Sequence, residues 1–239
     1  MARTALVTGY LNGMGKGTYE SLKARGYDVI GWDYADDPAV AVDVSSVESV
    51  RAGIERFPEG TKLDAVALCA GVWSEAPFMQ TSFEEFHRLV EIDLFGMFNC
   101  VQQLVPHMNE HGAFCCISSA SGQRGVAFES AYSAAKFGIC GFVEAVAREI
   151  AAAPRRLRIN AVCPFYVKSK MTTDALIEKE RLTGITVEES YALEARDVPL
   201  GYVADPSDIG DFIAALLGPE SRYVTGACIP ISGGTHCGY

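Results

Sequence analysis

Short apolar runs alternate along the chain with stretches in which apolar residues recur every three or four positions. Ala5–Thr8, Tyr27–Trp32, Leu63–Cys69, Ala113–Ser118, Leu157–Val162 and Cys228–Ile231 read as strands. Between them, Val47, Val50, Ile54 and Phe57 follow a helical period behind the cap candidates Ser45 and Ser46. A second helix starts near Ser82 and carries Phe86, Val90, Met97 and Val101 on one face. A third runs from about Ser130 to Ala152. Strands alternating with helices form βαβ units, which predicts an α/β fold with a doubly wound parallel sheet and helices on both faces. No repeat or Pro/Gly linker interrupts the pattern, so a single domain is expected over residues 1–239. The stretch from Ser169 to Pro199 fits worst, being long, polar and poor in β-branched runs. In a doubly wound sheet such an insert sits over the strand ends where ligands bind, which predicts a lid at about 169–199.

Composition narrows the chemistry. The chain has 239 residues, 49% of them hydrophobic, enough for one well-filled core. Thirty acidic residues against twenty basic ones leave a net charge of −10, which disfavours nucleic acid and anionic membrane as partners. No apolar run is long enough to span a bilayer, and the start lacks the apolar stretch of a secretion signal, so a cytoplasmic location is expected. None of the eight cysteines forms a CxxC pair, and most sit in apolar runs, as reduced core thiols would. The four histidines show no metal-ligand spacing and no metal is expected.

The first strand leads directly into Thr8-Gly9-Tyr10-Leu11-Asn12-Gly13-Met14-Gly15, where the glycines open a helix. Strand, glycine turn and helix form a phosphate-binding arrangement. The helix N-terminus offers free N–H groups, and glycine lets the backbone approach a pyrophosphate. Asp33 ends the second strand, 18 residues beyond Gly15. An acid there suits a free ribose 2′-hydroxyl and repels a 2′-phosphate. No Arg or Lys closely follows Asp33, and Asn12 rather than a cation precedes Gly13, so NAD is expected over NADP. The other reading of Asp33 is an ordinary turn-capping acid.

With these residues in view, the chain resembles the short-chain dehydrogenase/reductase family, and the likeness runs in order through the whole sequence. Asp43-Val44 resembles the pair that holds the adenine, and Leu68-Cys69-Ala70-Gly71 resembles the NNAG motif without its asparagines. Ile117 to Gly122 resembles the serine strand, with Ser119 as the catalytic serine, and Tyr132-Ser133-Ala134-Ala135-Lys136 resembles YxxxK. Arg158 to Pro164 is similar to the stretch leading into the nicotinamide site, and Thr225-Gly226 precedes the last strand as in the family. The resemblance implies a Rossmann-like fold. It implies a cofactor site at Gly9, Asn12, Gly13, Met14, Gly15, Asp33, Asp43, Val44, Ala70, Gly71, Tyr132, Lys136, Val167 and Ser169. It also implies a homotetramer or homodimer built through the long helices.

The chemistry follows from residue types. Tyr132 and Lys136 are four apart on a helix and share a face. A nearby ammonium favours the phenolate, so Tyr132 can exchange a proton with an alcohol or carbonyl oxygen. Ser119 would orient that oxygen, and NAD would carry the hydride. Three further places depart from the family. Asp93 stands where an asparagine is usual, on a face that should be buried, so it needs a partner, expected to be Lys136 directly or through water. The alternative is a tolerated substitution with no kinetic role. Phe165 and Tyr166 follow Pro164 where a glycine is usual, and either line the substrate pocket with Ser121 or pack. Ser232-Gly233-Gly234 replaces the frequent DGG. The expected activity is NAD-dependent dehydrogenation of a neutral, partly apolar secondary alcohol or reduction of its ketone. The alternative is a catalytically weak NAD-binding, redox-sensing module.

Overall fold

The computed structural model describes residues 3–235, so His236, Cys237 and the rest of the C-terminus lie outside it. Six strands form one sheet: β1 (Arg3–Thr8), β2 (Tyr27–Trp32), β3 (Leu63–Leu68), β4 (Met108–Ile117), β5 (Arg158–Pro164) and β6 (Cys228–Ile231). Their order is β2-β1-β3-β4-β5-β6, and every pairing is parallel. Strands with both faces covered need near-continuous apolar sequence. Accordingly all of β5 is buried, as are the last four residues of β1 and the last six of β4.

Among the described residues eight α-helices accompany the sheet: α1 (Gly13–Ala24), α2 (Val47–Glu55), α3 (Phe83–Leu89), α4 (Gly96–Leu104), α5 (Ser130–Ala152), α6 (Lys170–Thr183), α7 (Val187–Arg196) and α8 (Pro206–Leu217). α1 and α8 pack together on one face, while α2, α4 and α5 cover the other. The strand order reverses between β1 and β3, which opens a crevice beyond their carboxyl ends. Among the described residues no helix is long and apolar enough to cross a membrane.

The expected doubly wound α/β sheet is present, and three local expectations change. The helix expected from Ser82 is broken by a π-helical turn at Val90–Phe95, between α3 and α4. That turn rotates the helical face: Met97 and Val101 stay buried, while Phe86 is 39% exposed. The polar insert, to which the sequence pattern assigns no element, is mostly two helices. A reciprocal Ser169–Thr172 capping box starts α6, Gly184 ends it with φ 77°, and a second box between Thr186 and Glu189 starts α7. Strand ends also move. β3 stops at Leu68 because the Cys69 amide turns to Thr8 Oγ1 at 3.0 Å, and β5 continues to Pro164 through its pairing with β6. All seven described cysteines are free thiols.

The α1–α8 contact passes through two glycines. A Cβ at Gly17 would collide with the Pro206 carbonyl, and one at Gly210 with the Gly17 backbone. Alanine is the better helix former, by about 1 kcal/mol, but a clash with rigid backbone puts the overpacking cost in the upper part of its usual range, about 2–3 kcal/mol. Gly17→Ala is therefore expected to lower the Tm by roughly 2–8 °C in a thermal melt. An equal or higher Tm would show that the two helices separate freely.

Candidate functional site

The crevice beyond β1 and β3 holds a cleft of about 590 Å³. Gly9, Asn12, Gly13, Met14 and Gly15 form one wall, and Asp33, Asp43 and Val44 form another. Ala70, Gly71 and Ser169 complete it. The turn needs its glycines. Gly9 has φ 68°, and a Cβ there would come within 2.9 Å of the Ala70 amide. A Cβ on Gly15 would collide with the Gly9 carbonyl. Thr8 Oγ1 ties β1 to β3 by accepting from the Cys69 and Ala70 amides, each at 3.0 Å.

Asn12 precedes α1 in extended conformation and makes no side-chain cap, and no acid occupies the first turn. The first amides of α1 are thus left for an anion. The Leu11 amide donates to Asp33 Oδ2 at 2.8 Å, so this acid bridges the turn from the end of β2. Asp43 Oδ1 accepts from the Ser45 amide at 2.9 Å and the Ser45 hydroxyl at 2.6 Å. Two cations also line the cleft, and each is engaged: Arg88 is bidentate to Glu85 at 2.8 and 2.9 Å, and Lys170 pairs with Asp174. A glycine cradle, an open helix start and a well-placed acid fit a dinucleotide.

A second cavity of about 360 Å³ adjoins the cleft, sharing Met14, Ser169 and Met171. Ser119 and Tyr132 face it, with Ser121, Phe165, Tyr166 and Val167. Phe165 and Tyr166 therefore line a cavity beside Ser119 and Tyr132. Ser119 sits just beyond β4, and its Oγ accepts from the Ser121 amide at 3.1 Å, starting a short 3₁₀ turn. α5 brings Tyr132 and Lys136 to the same place, with the Lys136 Nζ 5.3 Å from the Tyr132 ring centre.

Lys136 is held from behind. Its Nζ lies 2.9 Å from Asp93 Oδ2, an oxygen with no other partner among the described residues. The Val72 amide donates to Asp93 Oδ1 at 2.8 Å, and Lys136 Nζ also donates to the Ile117 carbonyl at 3.3 Å. The π-helical turn points Asp93 inward, and a Cβ on Gly71 would press on the same carboxylate at 3.1 Å. The expected Asp93–Lys136 contact is thus direct.

The charges act on one another. Burial pushes the Tyr132 phenol above its ordinary value; Lys136 pulls it down, Asp93 pushes it up, and a hydrogen bond with Ser119 pulls it down. Burial also works to lower the Lys136 pKa, but Asp93 and Tyr132 outweigh it and the ammonium stays favoured. Cys69, in the place of a family asparagine, is an inert thiol that burial pushes up to about 12.

Several lining residues were absent from the sequence reading. Trp73, Glu129 and Glu194 line the inner cavity beside Arg124 and Val126. Glu129 lies three residues before Tyr132 in a turn, a proximity that could have pointed to it; Trp73 and Glu194 left no such signal.

Comparison with known proteins agrees with this geometry. A family profile described as enoyl-(acyl carrier protein) reductase matches residues 9–236. The chain is 32% identical over 250 residues to acetoacetyl-CoA reductase of Shinella zoogloeoides, covering 98% of each. It is 30% identical over 250 residues to 3-oxoacyl-(acyl-carrier-protein) reductase FabG of Vibrio cholerae, covering 98% of this chain and 97% of that one. An actinorhodin polyketide ketoreductase variant solved with NADPH superposes with a TM-score of 0.87 at 26% identity, over 98% of this chain and 97% of that one. Thermoplasma acidophilum aldohexose dehydrogenase superposes with a TM-score of 0.90 over 98% of this chain and 94% of that one; at 24% identity it speaks for the fold alone.

Removing one partner of a buried pair leaves an uncompensated charge. Asp93→Ala is expected to cost roughly 3–5 kcal/mol and to lower the Tm by about 6–20 °C. Asp93→Asn, which keeps an acceptor for the Val72 amide, should cost clearly less. Equal melts for the two variants would show that the acceptor for the Val72 amide contributes nothing and that the lost charge carries the whole cost.

Proposed function

Because this chain belongs to the short-chain dehydrogenase/reductase family of oxidoreductases, we propose that it transfers a hydride between NAD(H) and a secondary alcohol or its ketone. The observation that carries the reading is the meeting of Ser119 and Tyr132 at a cavity adjoining a glycine-cradled cleft, with Lys136 buried behind the Tyr132 ring. The nicotinamide, when bound, gives or takes the hydride; the chain positions the substrate and manages the proton. The Ser119 hydroxyl orients the substrate oxygen. Tyr132 donates a proton to it in reduction and accepts one in oxidation. Lys136 lowers the barrier to forming the phenolate, and Asp93 is a positioning residue that acts through Lys136.

In this reading Gly9, Asn12, Gly13, Met14 and Gly15 receive the pyrophosphate at the start of α1. Asp33 takes the adenosine ribose hydroxyls, Asp43 and Val44 flank the adenine, and Ala70 and Gly71 line the path to the nicotinamide. Val167 and Ser169 meet the carboxamide, and α6 and α7 form the lid. NAD is favoured over NADP because a 2′-phosphate would meet the Asp33 carboxylate, with Asp36 and Asp37 close by in sequence, while Arg88 and Lys170 are already paired. The exposed rings of Phe95, Phe98 and Phe137 on or beside α4 and α5 are where copies of this chain would pair as a homotetramer or homodimer.

Titration with both reduced cofactors tests the first step. NADH should bind at least about tenfold more tightly than NADPH, the scale of one close like-charge contact. A panel of secondary alcohols and ketones should then show turnover that Tyr132→Phe abolishes while NADH binding persists. Tighter NADPH binding would overturn the cofactor assignment. NADH binding without any turnover would favour the redox-sensing module.

A second test reads Asp93. The catalytic base in oxidation is the phenolate, and the Asp93 charge raises the phenol's pKa. Asp93→Asn removes that charge, lowers the pKa, and should move the rising limb of the oxidation kcat/KM profile to lower pH. An unchanged profile with the rate intact would mean that Asp93 has no kinetic role.

A further inference from the structure

The turn that enters α5 carries a carboxylate that does not cap the helix it precedes. Glu129 occupies the N-cap position with φ −113° and ψ 34°, where an acid's ordinary partners are the first free amides, yet its side chain makes no such bond. It turns into the inner cavity instead. The Trp73 indole N–H donates to Oε1 at 2.9 Å, and the Ser121 hydroxyl donates to Oε2 at 2.6 Å. All three side chains line the same 360 Å³ space as Ser119 and Tyr132.

Two neutral donors orient this carboxylate without cancelling its charge. Among the described residues Glu129 makes no ion pair, and Arg124 stands exposed at the cavity rim without reaching it. Each carboxylate oxygen keeps a second lone pair for a ligand. The neighbouring walls are the rings of Trp73, Phe165 and Tyr166, whose faces favour a cation. The negative field is felt nearby: burial raises the Tyr166 phenol, and Glu194, Tyr191, Glu75 and Glu129 raise it further. A substrate hydroxyl would satisfy the lone pairs and leave the charge. An ammonium satisfies both, and a carboxylate is repelled.

We propose that Glu129 is a specificity-determining residue that receives a protonated amine, so that the preferred substrates are amino alcohols and the matching amino ketones. The proposal deepens the dehydrogenase reading and rests on it for the reacting carbon. The amine itself is not transformed; it fixes the distance between the carbinol and the carboxylate.

Three compounds with one ring and one carbinol test it: 4-aminocyclohexanol, 4-methylcyclohexanol and 4-hydroxycyclohexanecarboxylate. Binding to the NADH complex is read by calorimetry, and NAD reduction is read separately. The amino alcohol should bind at least about tenfold more tightly than the methyl compound, and the carboxylate most weakly. Glu129→Gln should bring the ammonium-to-methyl ratio to within about threefold of unity, while Glu129→Asp retains part of the preference. NADH titration of each variant reports an intact fold and cleft. Equal binding of the three compounds, or a Gln variant that keeps the full preference, overturns the proposal. An ammonium preference without turnover of any compound upholds the assignment of Glu129 and overturns the hydride-transfer reading, so the two can fail separately.

Discussion

The arrangement of the site depends on one buried ion pair. Lys136 and Asp93 are nearly inaccessible, with side-chain exposures of 4% and 0%. Such a pair is a weak source of stability, because desolvation offsets much of the attraction. Its structural effect is connectivity. The Val72 amide joins the end of β3 to Asp93, the Ile117 carbonyl joins β4 to Lys136, and α5 joins Lys136 to Tyr132. Four segments distant in sequence are thereby locked around one ammonium. A carboxylate does this more firmly than an amide would, and it also opposes the pull of Lys136 on Tyr132. The ammonium is kept charged by the same group that weakens its field.

The topology puts those segments within reach. Because β3 pairs with β1 on the side away from β2, the ends of β1 and β3 open a crevice. The turn after β1 fills its floor with backbone, and the segment after β3 supplies Gly71 beside Asp93. Neither could carry a side chain there without displacing its neighbour, so steric exclusion and the ion pair act at the same point.

Much of this was legible in the sequence, and the reasons differ by element. Strands buried on both faces must be largely apolar, so β1 and β3 announce themselves, and β5 does so although Arg158 and Asn160 are buried in it with backbone carbonyls as partners. The glycine turn and the Tyr132–Lys136 spacing are local, and local chemistry survives without knowledge of the fold. The π-helical turn was not legible, because one extra residue in a helical turn leaves no compositional mark; Phe86 was placed on the buried face for that reason. α6 and α7 were read only as a polar insert because their helicity comes from capping boxes and Tyr191 bonds to Thr172 and Thr173 rather than from an apolar stripe. Trp73 and Glu129 are 56 positions apart, and only the folded chain brings them together.

An acidic chain with a dinucleotide cleft poses a question of charge that distance resolves. A net charge of −10 should repel a pyrophosphate if charges acted from anywhere on the surface. They do not, since screening confines exposed charges to about 8 Å at physiological ionic strength. What a phosphate at the start of α1 would meet is a first turn with no acid and a set of open amides. The carboxylates are sorted away from that point. Asp33 stands at the end of β2, where neutral hydroxyls of a ribose would be its ligands, and its Oδ2 is already oriented by the Leu11 amide. In the proposed assignment the same acid leaves room for hydroxyls and resists a further phosphate. Acidity overall and anion binding locally are therefore compatible, and the position of each carboxylate decides which part of a dinucleotide it can face.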